Sequence, residues 1–166
     1  MSEVVFFMQA SFPDAARSGR FFRAVYSHDS EIETNGAVEE LEAEGVDTSS
    51  FLDPELDWEI EDCGVDDREH LRLKAGCSGE SSQVIGALAV AARRAGATSV
   101  ISFLFDTSTG DYQALGATEE TPVELYTTQD YDSVGDDFVS GLRRLMLAAH
   151  EHTTRLIEDG LLTRAR

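Results

Sequence analysis

The chain has 166 residues, of which 42% are hydrophobic, and it carries a formal net charge of −19 at pH 7. This length suits one domain with a sizeable core, and the hydrophobic fraction excludes a chain that is disordered throughout. No apolar run approaches the roughly 20 residues that a membrane span needs, and the N-terminal residues lack the basic start of a signal peptide. We therefore expect a single cytoplasmic domain over residues 1–166.

Hydrophobic periodicity predicts an α+β domain, in which a mostly antiparallel sheet of about five to seven strands packs against two or three helices. The predicted elements, in chain order, are strands at 3–9 and 21–27, a helix at 36–44, strands at 57–63 and 70–76, a helix at 82–95, strands at 100–105, 112–117 and 123–128, and a helix at 134–159. The middle of this order, strand–helix–strand–strand–helix–strand, is the ferredoxin-like pattern. An extended ferredoxin-like core is therefore one arrangement that fits the sequence.

The segment 13–27 allows two interpretations. Residues 21–27 alternate well enough for a strand antiparallel to the first one, whereas a helix over 13–26 is the competing interpretation. Gly19 would lie inside that helix at a cost of about 1 kcal/mol, and we therefore expect the strand. Ser11 is then the candidate cap of a single helical turn between the two strands.

The clearest hairpin spans residues 57–76. Glu59 and Glu61 lie on the outward face of its first strand, and Arg72 and Lys74 lie on the outward face of its second strand. Matching the inward faces places both acids opposite the basic row, where opposite charges stabilise the strand pair by a few tenths of a kcal/mol. We expect these contacts to help fix the register of the hairpin.

The negative charge is unevenly distributed. Residues 29–69 contain 17 acids and one base, Arg68, and carry −16, whereas the other 125 residues carry −3. Concentrated like charge costs stability unless an opposite surface meets it, so we expect a partner protein with a basic surface. The candidate contact residues lie on the predicted acidic helix and in the hairpin turn: Glu39, Glu40, Glu42, Glu44, Asp66 and Asp67. The alternative is a solvated acidic face without a partner.

The near absence of lysine has an interpretation of its own. Twelve of the 13 basic residues are Arg, and Lys74 is the single lysine. Excess acid with little lysine is typical of halophilic proteins, because salt screens a carboxylate surface within a Debye length of about 3 Å at 1 M. A GC-rich genome also exchanges Lys for Arg, although it does not by itself produce this charge. A halophilic source and a specific binding face therefore both stay open.

An enzyme or ligand-binding domain is the alternative class of protein, with Cys77 and Asp106 as its candidate site. Cys77 lies between a strand and a helix N-terminus, where anions and reactive thiols are favoured, but Gln83 stands where a phosphate-binding cysteine loop needs Arg. Asp106 ends a buried strand, as a catalytic acid can, yet its Asp-Thr-Ser-Thr-Gly-Asp sequence is also ordinary turn chemistry. A deep pocket containing both residues would favour the enzyme, and a flat acidic face would favour a binding protein.

The remaining chemistry points away from bound cofactors and nucleic acid. Cys63 and Cys77 lack metal-type spacing, and His150 and His152 would face apart on a helix. Nucleic acid needs a basic face, which this composition does not offer. We therefore expect no metal, no cofactor and no catalytic residue. The sequence predicts a non-catalytic acidic protein-binding or assembly subunit, either inhibitor-like or immunity-like, or a structural piece of a larger particle, with homo-oligomerisation open.

Overall fold

The computed structural model describes residues 3–28, 36–65, 70–109 and 112–128. The elements within these ranges are β1 (Glu3–Ser11), α1 (Ala15–Tyr26), α2 (Ala37–Ala43), α3 (Ser49–Leu52), β2 (Trp58–Val65), β3 (His70–Ser78), a 3₁₀ turn (Gly79–Ser81), α4 (Gln83–Arg94), β4 (Ser99–Asp106), β5 (Tyr112–Ala117) and β6 (Pro122–Thr128). None of the helices in this part of the chain is long and apolar enough to cross a membrane. The helix predicted at 134–159 lies outside the described residues.

The strands form one antiparallel sheet in the order β2-β3-β1-β4-β5-β6. The chain skips one strand position twice, through α1, α2 and α3 between β1 and β2, and through α4 between β3 and β4. The order β2-β3-β1-β4 with helical crossovers is the ferredoxin-like arrangement, and β5 and β6 extend it. The predicted α+β class is confirmed.

The prediction of a strand at residues 21–27 is wrong, because residues 21–26 form the second half of α1 and Ser27 is its C-cap. Asp14 caps this helix by accepting a hydrogen bond from the Arg17 N–H at 2.8 Å, whereas Ser11, the predicted cap, belongs to β1. The buried side chains recur at helical spacing: Ser18, Phe21, Ala24 and Val25. Their burial outweighs the cost of about 1 kcal/mol that Gly19 imposes inside the helix. The first strand of the ferredoxin-like core is therefore β1, and the helix that the pattern requires after it is α1.

The predicted hairpin of β2 and β3 is confirmed, but only one of its two acids contacts a base as expected. Glu61 lies in a β-bulge, and its carboxylate is 2.7 Å from Lys74 Nζ. Glu59 instead lies opposite Gly76. In the observed register Lys74 pairs with Asp62 and Arg72 pairs with Gly64, so the basic residues lie opposite a later part of β2 than Glu59. The bulge and the longer strands are features that alternation alone does not reveal.

Helix α4 agrees with its predicted range to within one residue at each end. Just before the helix, Ser81 Oγ accepts a hydrogen bond from the Asp57 N–H at 2.9 Å and so holds the start of β2. No side chain caps α4 at its N-cap residue, Ser82. The helix ends before Gly96, whose φ of +106° is the left-handed conformation expected after a helix.

Helices α1 and α4 pack directly against one face of the sheet, and α2 and α3 lie on the same side, against α1 and α4 respectively. Alternate residues of β1, such as Phe6 and Met8, belong to the same buried cluster as Phe21 of α1, Phe51 of α3 and Leu88 of α4. Strand β4 lies between β1 and β5 and is buried on both faces, as its apolar sequence predicted. We call residues 29–69 the acidic segment. Its described part lies on the helix-covered side of the sheet and includes strand β2.

Candidate partner-binding surface

A few buried side chains attach the acidic segment to the core. Leu41 of α2 and Phe51 of α3 are fully buried, and Trp58 at the start of β2 is 3% exposed. The Trp58 Nε1–H donates to the Phe51 carbonyl at 2.9 Å, and the His28 ring stacks on the indole with centroids 4.2 Å apart. These contacts turn the apolar side of each element inward, so the acids on the same elements face water.

Every acidic side chain that the structure describes between residues 36 and 65 is exposed. They are Glu39, Glu40, Glu42, Glu44, Asp47, Asp53, Glu55, Asp57, Glu59 and Glu61. Helix α2 is bounded by Gly36 and Gly45, with φ of +77° and +89°, which let the chain turn sharply at both ends. The charge of this part of the segment is therefore displayed at the surface.

Two of the predicted contact residues, Glu40 and Glu44, already have an internal partner. Arg20 of α1 donates from two nitrogens to the two carboxylate oxygens of Glu44, each at 2.8 Å, and lies 3.7 Å from Glu40. The Arg20 side chain is 16% exposed and that of Glu44 is 44% exposed. A partly exposed but bidentate pair of this kind stabilises by about 1 kcal/mol. This pair fixes α2 against α1.

The other predicted contact residues differ in what surrounds them. Glu42 accepts a hydrogen bond from Thr48 Oγ1 at 2.7 Å. Glu39 lies on the exposed side of α2 and has no ion-pair partner within the described ranges. Asp66 and Asp67 lie outside the described residues. The structure therefore brings the four glutamates of α2 onto one exposed helix. Among the described residues, it shows an internal partner for Glu40, Glu42 and Glu44 but none for Glu39.

A further group of acids, which the sequence did not predict, lies where the starts of β1 and β2 meet the end of β3. A cleft of about 240 Å³ is lined by Glu3, Asp57, Trp58, Glu59, Glu61, Gly76, Cys77 and Ser78. Strand pairing creates it, since Glu3 pairs with Ser78 and Glu59 pairs with Gly76. Only the strand order could have joined Glu3 to residues 57–61. No metal-ligand group of three or more residues occurs in the described part of the chain.

The Cys77 thiol borders this cleft, and its surroundings do not activate it as a nucleophile. Burial raises the pKa of Cys77 to about 11, and the negative charges of Asp57 and Glu3 act in the same direction. A thiol with this pKa is almost entirely protonated at neutral pH, whereas catalytic cysteines are activated by nearby positive charge. No disulfide bond joins Cys77 and Cys63.

Asp106 at the end of β4 is occupied by the turn that follows it. Its Oδ1 accepts hydrogen bonds from the Ser108 N–H at 2.9 Å, from Ser108 Oγ at 2.6 Å and from the Thr109 N–H at 3.3 Å. Burial by itself raises the pKa of Asp106, but these hydrogen bonds outweigh it and leave the pKa below its usual value. A carboxylate held in this way stays ionised and shapes the turn.

Cys77 and Asp106 lie on the same face of the sheet but not side by side. Both are paired with Val4 of β1, Cys77 from β3 and Asp106 from β4. Two strand spacings of about 4.8 Å therefore separate them, with Val4 between. The cleft beside Cys77 does not include Asp106. The geometry does not assemble the two residues into one site.

Comparisons with known proteins return no relative. No protein-family model, no curated protein and no solved structure matches the chain. The function must therefore be argued from the residues and their arrangement.

Proposed function

We propose that this chain is a non-catalytic acidic subunit that binds or assembles with a protein presenting a basic surface. The observation that carries the proposal is the exposure of all ten acidic side chains described between residues 36 and 65. Within the described ranges, ion pairs to this group come from Arg20 and Lys74. Most of the negative charge is therefore available to an outside partner.

A surface that concentrates like charges lowers the free energy of unfolding. Like charges held together repel one another and oppose folding, and an opposite surface removes this cost on binding. Long-range attraction also raises the association rate and selects partners by charge. The candidate contact residues remain Glu39, Glu40, Glu42, Glu44, Asp66 and Asp67. The structure adds Glu55, Asp57 and Glu59, which are exposed and have no ion-pair partner among the described residues.

Strand β2 supports contact through side chains. It is the last strand in the order of the described sheet, and it carries the exposed side chains of Glu59 and Glu61. These acids suit contact with basic side chains of a partner. An inhibitor-like or immunity-like protein and a structural piece of a larger particle both fit this mode of contact.

A halophilic source is a second explanation for the same charge, and we propose it alongside the binding role. Its support is the composition, with 32 acids, 13 bases and a net charge of −19. Halophilic adaptation needs acid over the whole surface, whereas a binding role needs it in one place. The unequal distribution of −16 in residues 29–69 and −3 elsewhere favours the binding role.

The proposal is tested by capture with three forms of the full chain as bait. One is the wild type, one carries Glu39→Gln, Glu55→Gln and Glu59→Gln, and the control carries Glu80→Gln, Glu119→Gln and Glu120→Gln. The control acids are equally exposed but lie outside the acidic segment. We expect a basic protein from the source cells to be retained by the wild type and the control, and lost by the first variant. The proposal would be contradicted if all three baits retained the same protein equally, or if no bait retained a basic protein.

A further inference from the structure

The sheet has a second face, turned away from the four described helices, and the centre of this face is apolar. Strand β1 contributes Val5 and Phe7, and β4 contributes Ile101, Phe103 and Phe105. Val5 pairs with Phe105, and Phe7 pairs with Phe103. The pairing makes an apolar strip that is two strands wide at the middle of the sheet. We call it the second-face strip.

Four of the five side chains in the second-face strip are buried within a single chain, and the fifth, Phe7, is partly buried. Ile101 and Phe105 are each 1% exposed, Val5 is 3% exposed and Phe103 is 4% exposed. The described helices do not cover these side chains, because they pack against the alternate residues of the same strands, such as Phe6. Buried aromatic side chains need contacting atoms on every side. Among the described residues, no helix lies on this face of the sheet.

We propose that the C-terminal segment, residues 129–166, covers the second-face strip as an amphipathic helix over residues 134–159. The segment follows directly on Thr128, the last residue of β6. It has 38 residues, whereas the longest other stretch outside the described ranges, 29–35, has seven. That shorter stretch contains Asp29, Glu31 and Glu33 and is unsuited to an apolar contact.

The sequence of the segment has the pattern that such a cover requires. Its apolar residues recur at intervals of three, four and seven: Phe138, Leu142, Leu145, Ala149 and Leu156. In a helix this spacing places them in one stripe. Residues between them, such as Ser140, Arg144 and Glu151, then point to the opposite side and face water.

The predicted helix is long enough to cover the strip. The stripe from Phe138 to Leu156 rises about 27 Å at 1.5 Å per residue. The strip is shorter, since the four residue steps from Ile101 to Phe105 span about 13 Å at 3.3 Å per residue. A helix is about 10 Å wide with its side chains, which is enough to cover two strands about 4.8 Å apart. On the β3 side, the strip is bounded by Lys74, whose Nζ lies 5.8 Å from the Phe7 ring centroid and contacts Glu61.

The direct test is nuclear magnetic resonance on the wild-type full chain. We expect nuclear Overhauser effects between the rings of Phe103 and Phe105 and the methyl groups of Leu142 and Leu145. The same methyl groups should show none to Phe21, which lies on the helix-covered side. A mixture of labelled and unlabelled protein separates contacts within one chain from contacts between copies. Contacts only between copies would mean that a second copy covers the strip, and absence of contacts would mean that neither does; either result overturns the proposal.

A matched pair of variants gives an independent readout. Leu145→Asp places one negative charge in the apolar stripe, and Ser140→Asp places the same charge on the opposite side of the predicted helix. We expect Leu145→Asp to lower the melting temperature by at least about 5 °C and to increase binding of a hydrophobic dye. Ser140→Asp should do neither. Equal effects of the two variants would overturn the proposal.

Discussion

Replacement of Trp58 by Phe tests how the acidic segment is attached to the core. The indole is 3% exposed, and its Nε1–H donates to the Phe51 carbonyl at 2.9 Å. It also stacks on His28 and lies with its ring centroid 6.4 Å from that of Phe6. Trp58→Phe keeps an aromatic ring at the site but removes the donor. The Phe51 carbonyl then loses the bond that ties α3 to β2.

The expected loss follows from the burial of this hydrogen bond. A buried carbonyl without a donor costs about 1–3 kcal/mol, and the smaller ring leaves a cavity that adds about 1 kcal/mol. We expect the free energy of unfolding to fall by about 2–4 kcal/mol and the melting temperature by about 5–12 °C. Urea unfolding followed by far-ultraviolet circular dichroism measures this, because the variant lacks the single tryptophan of the chain.

Phe22→Leu is a suitable control for Trp58→Phe. Phe22 of α1 is a partly buried aromatic residue packed against the same core, and its side chain has no hydrogen-bonding group. Its replacement should cost less than about 1.5 kcal/mol. If Trp58→Phe costs no more than Phe22→Leu, the indole hydrogen bond does not hold α3 to β2 and the reasoning is refuted.

Three further predictions concern charge and titration. The melting temperature should rise from about 0.1 M to about 3 M KCl, because salt screens the repulsion within a net charge of −19; a flat or falling curve would remove the halophilic interpretation. In a Cys63→Ser background, alkylation of Cys77 should be slow at neutral pH and should accelerate up to about pH 11, the pKa of its thiol; rapid labelling at pH 7 would contradict this. Asp106→Asn should lower the free energy of unfolding at about pH 7. Because the pKa of Asp106 is lowered in the folded state, its carboxylate stabilises the fold at pH values above 3.8, its usual pKa, and this stabilisation is lost as the pH falls through the folded-state pKa. The difference in the free energy of unfolding between Asp106→Asn and the wild type should shrink as the pH falls below 3.8 and through the lower pKa of the folded state. A constant difference in urea unfolding would count against the carboxylate hydrogen bonds.

The sequence predicts strands and helices well where one periodicity dominates. Strand β4 is apolar on both faces, and helix α4 carries an apolar side of regular spacing, and both were placed to within one or two residues. The segment 21–27 was misjudged, because its short alternation also fits a helix whose buried side chains are Phe21, Ala24 and Val25. The low helix propensity of Gly19 favours a strand, but the tertiary packing of α1 stabilises the helix by more than Gly19 destabilises it.

The candidate surface was predictable only in part. The exposed glutamates of α2 follow from composition and helical spacing. Their pairing with Arg20 does not, since the two helices lie 24 positions apart in the chain at the Arg20–Glu44 contact. The acids around Glu3 and Asp57 come together through the strand order, which a linear pattern does not contain. Long-range pairing therefore decides which acids are neutralised internally and which stay available.

Association kinetics provide a direct test of whether the acidic segment binds a basic partner. The full chain carrying Glu39→Gln, Glu55→Gln and Glu59→Gln is compared with the Glu80→Gln, Glu119→Gln and Glu120→Gln control, each against the captured partner at low and high salt. We predict that the first set slows association at least about threefold at low salt, with little change in the control, and that the rates converge at high salt. Equal rates for the two sets at low salt would contradict the claim and leave the acids as a solvated surface.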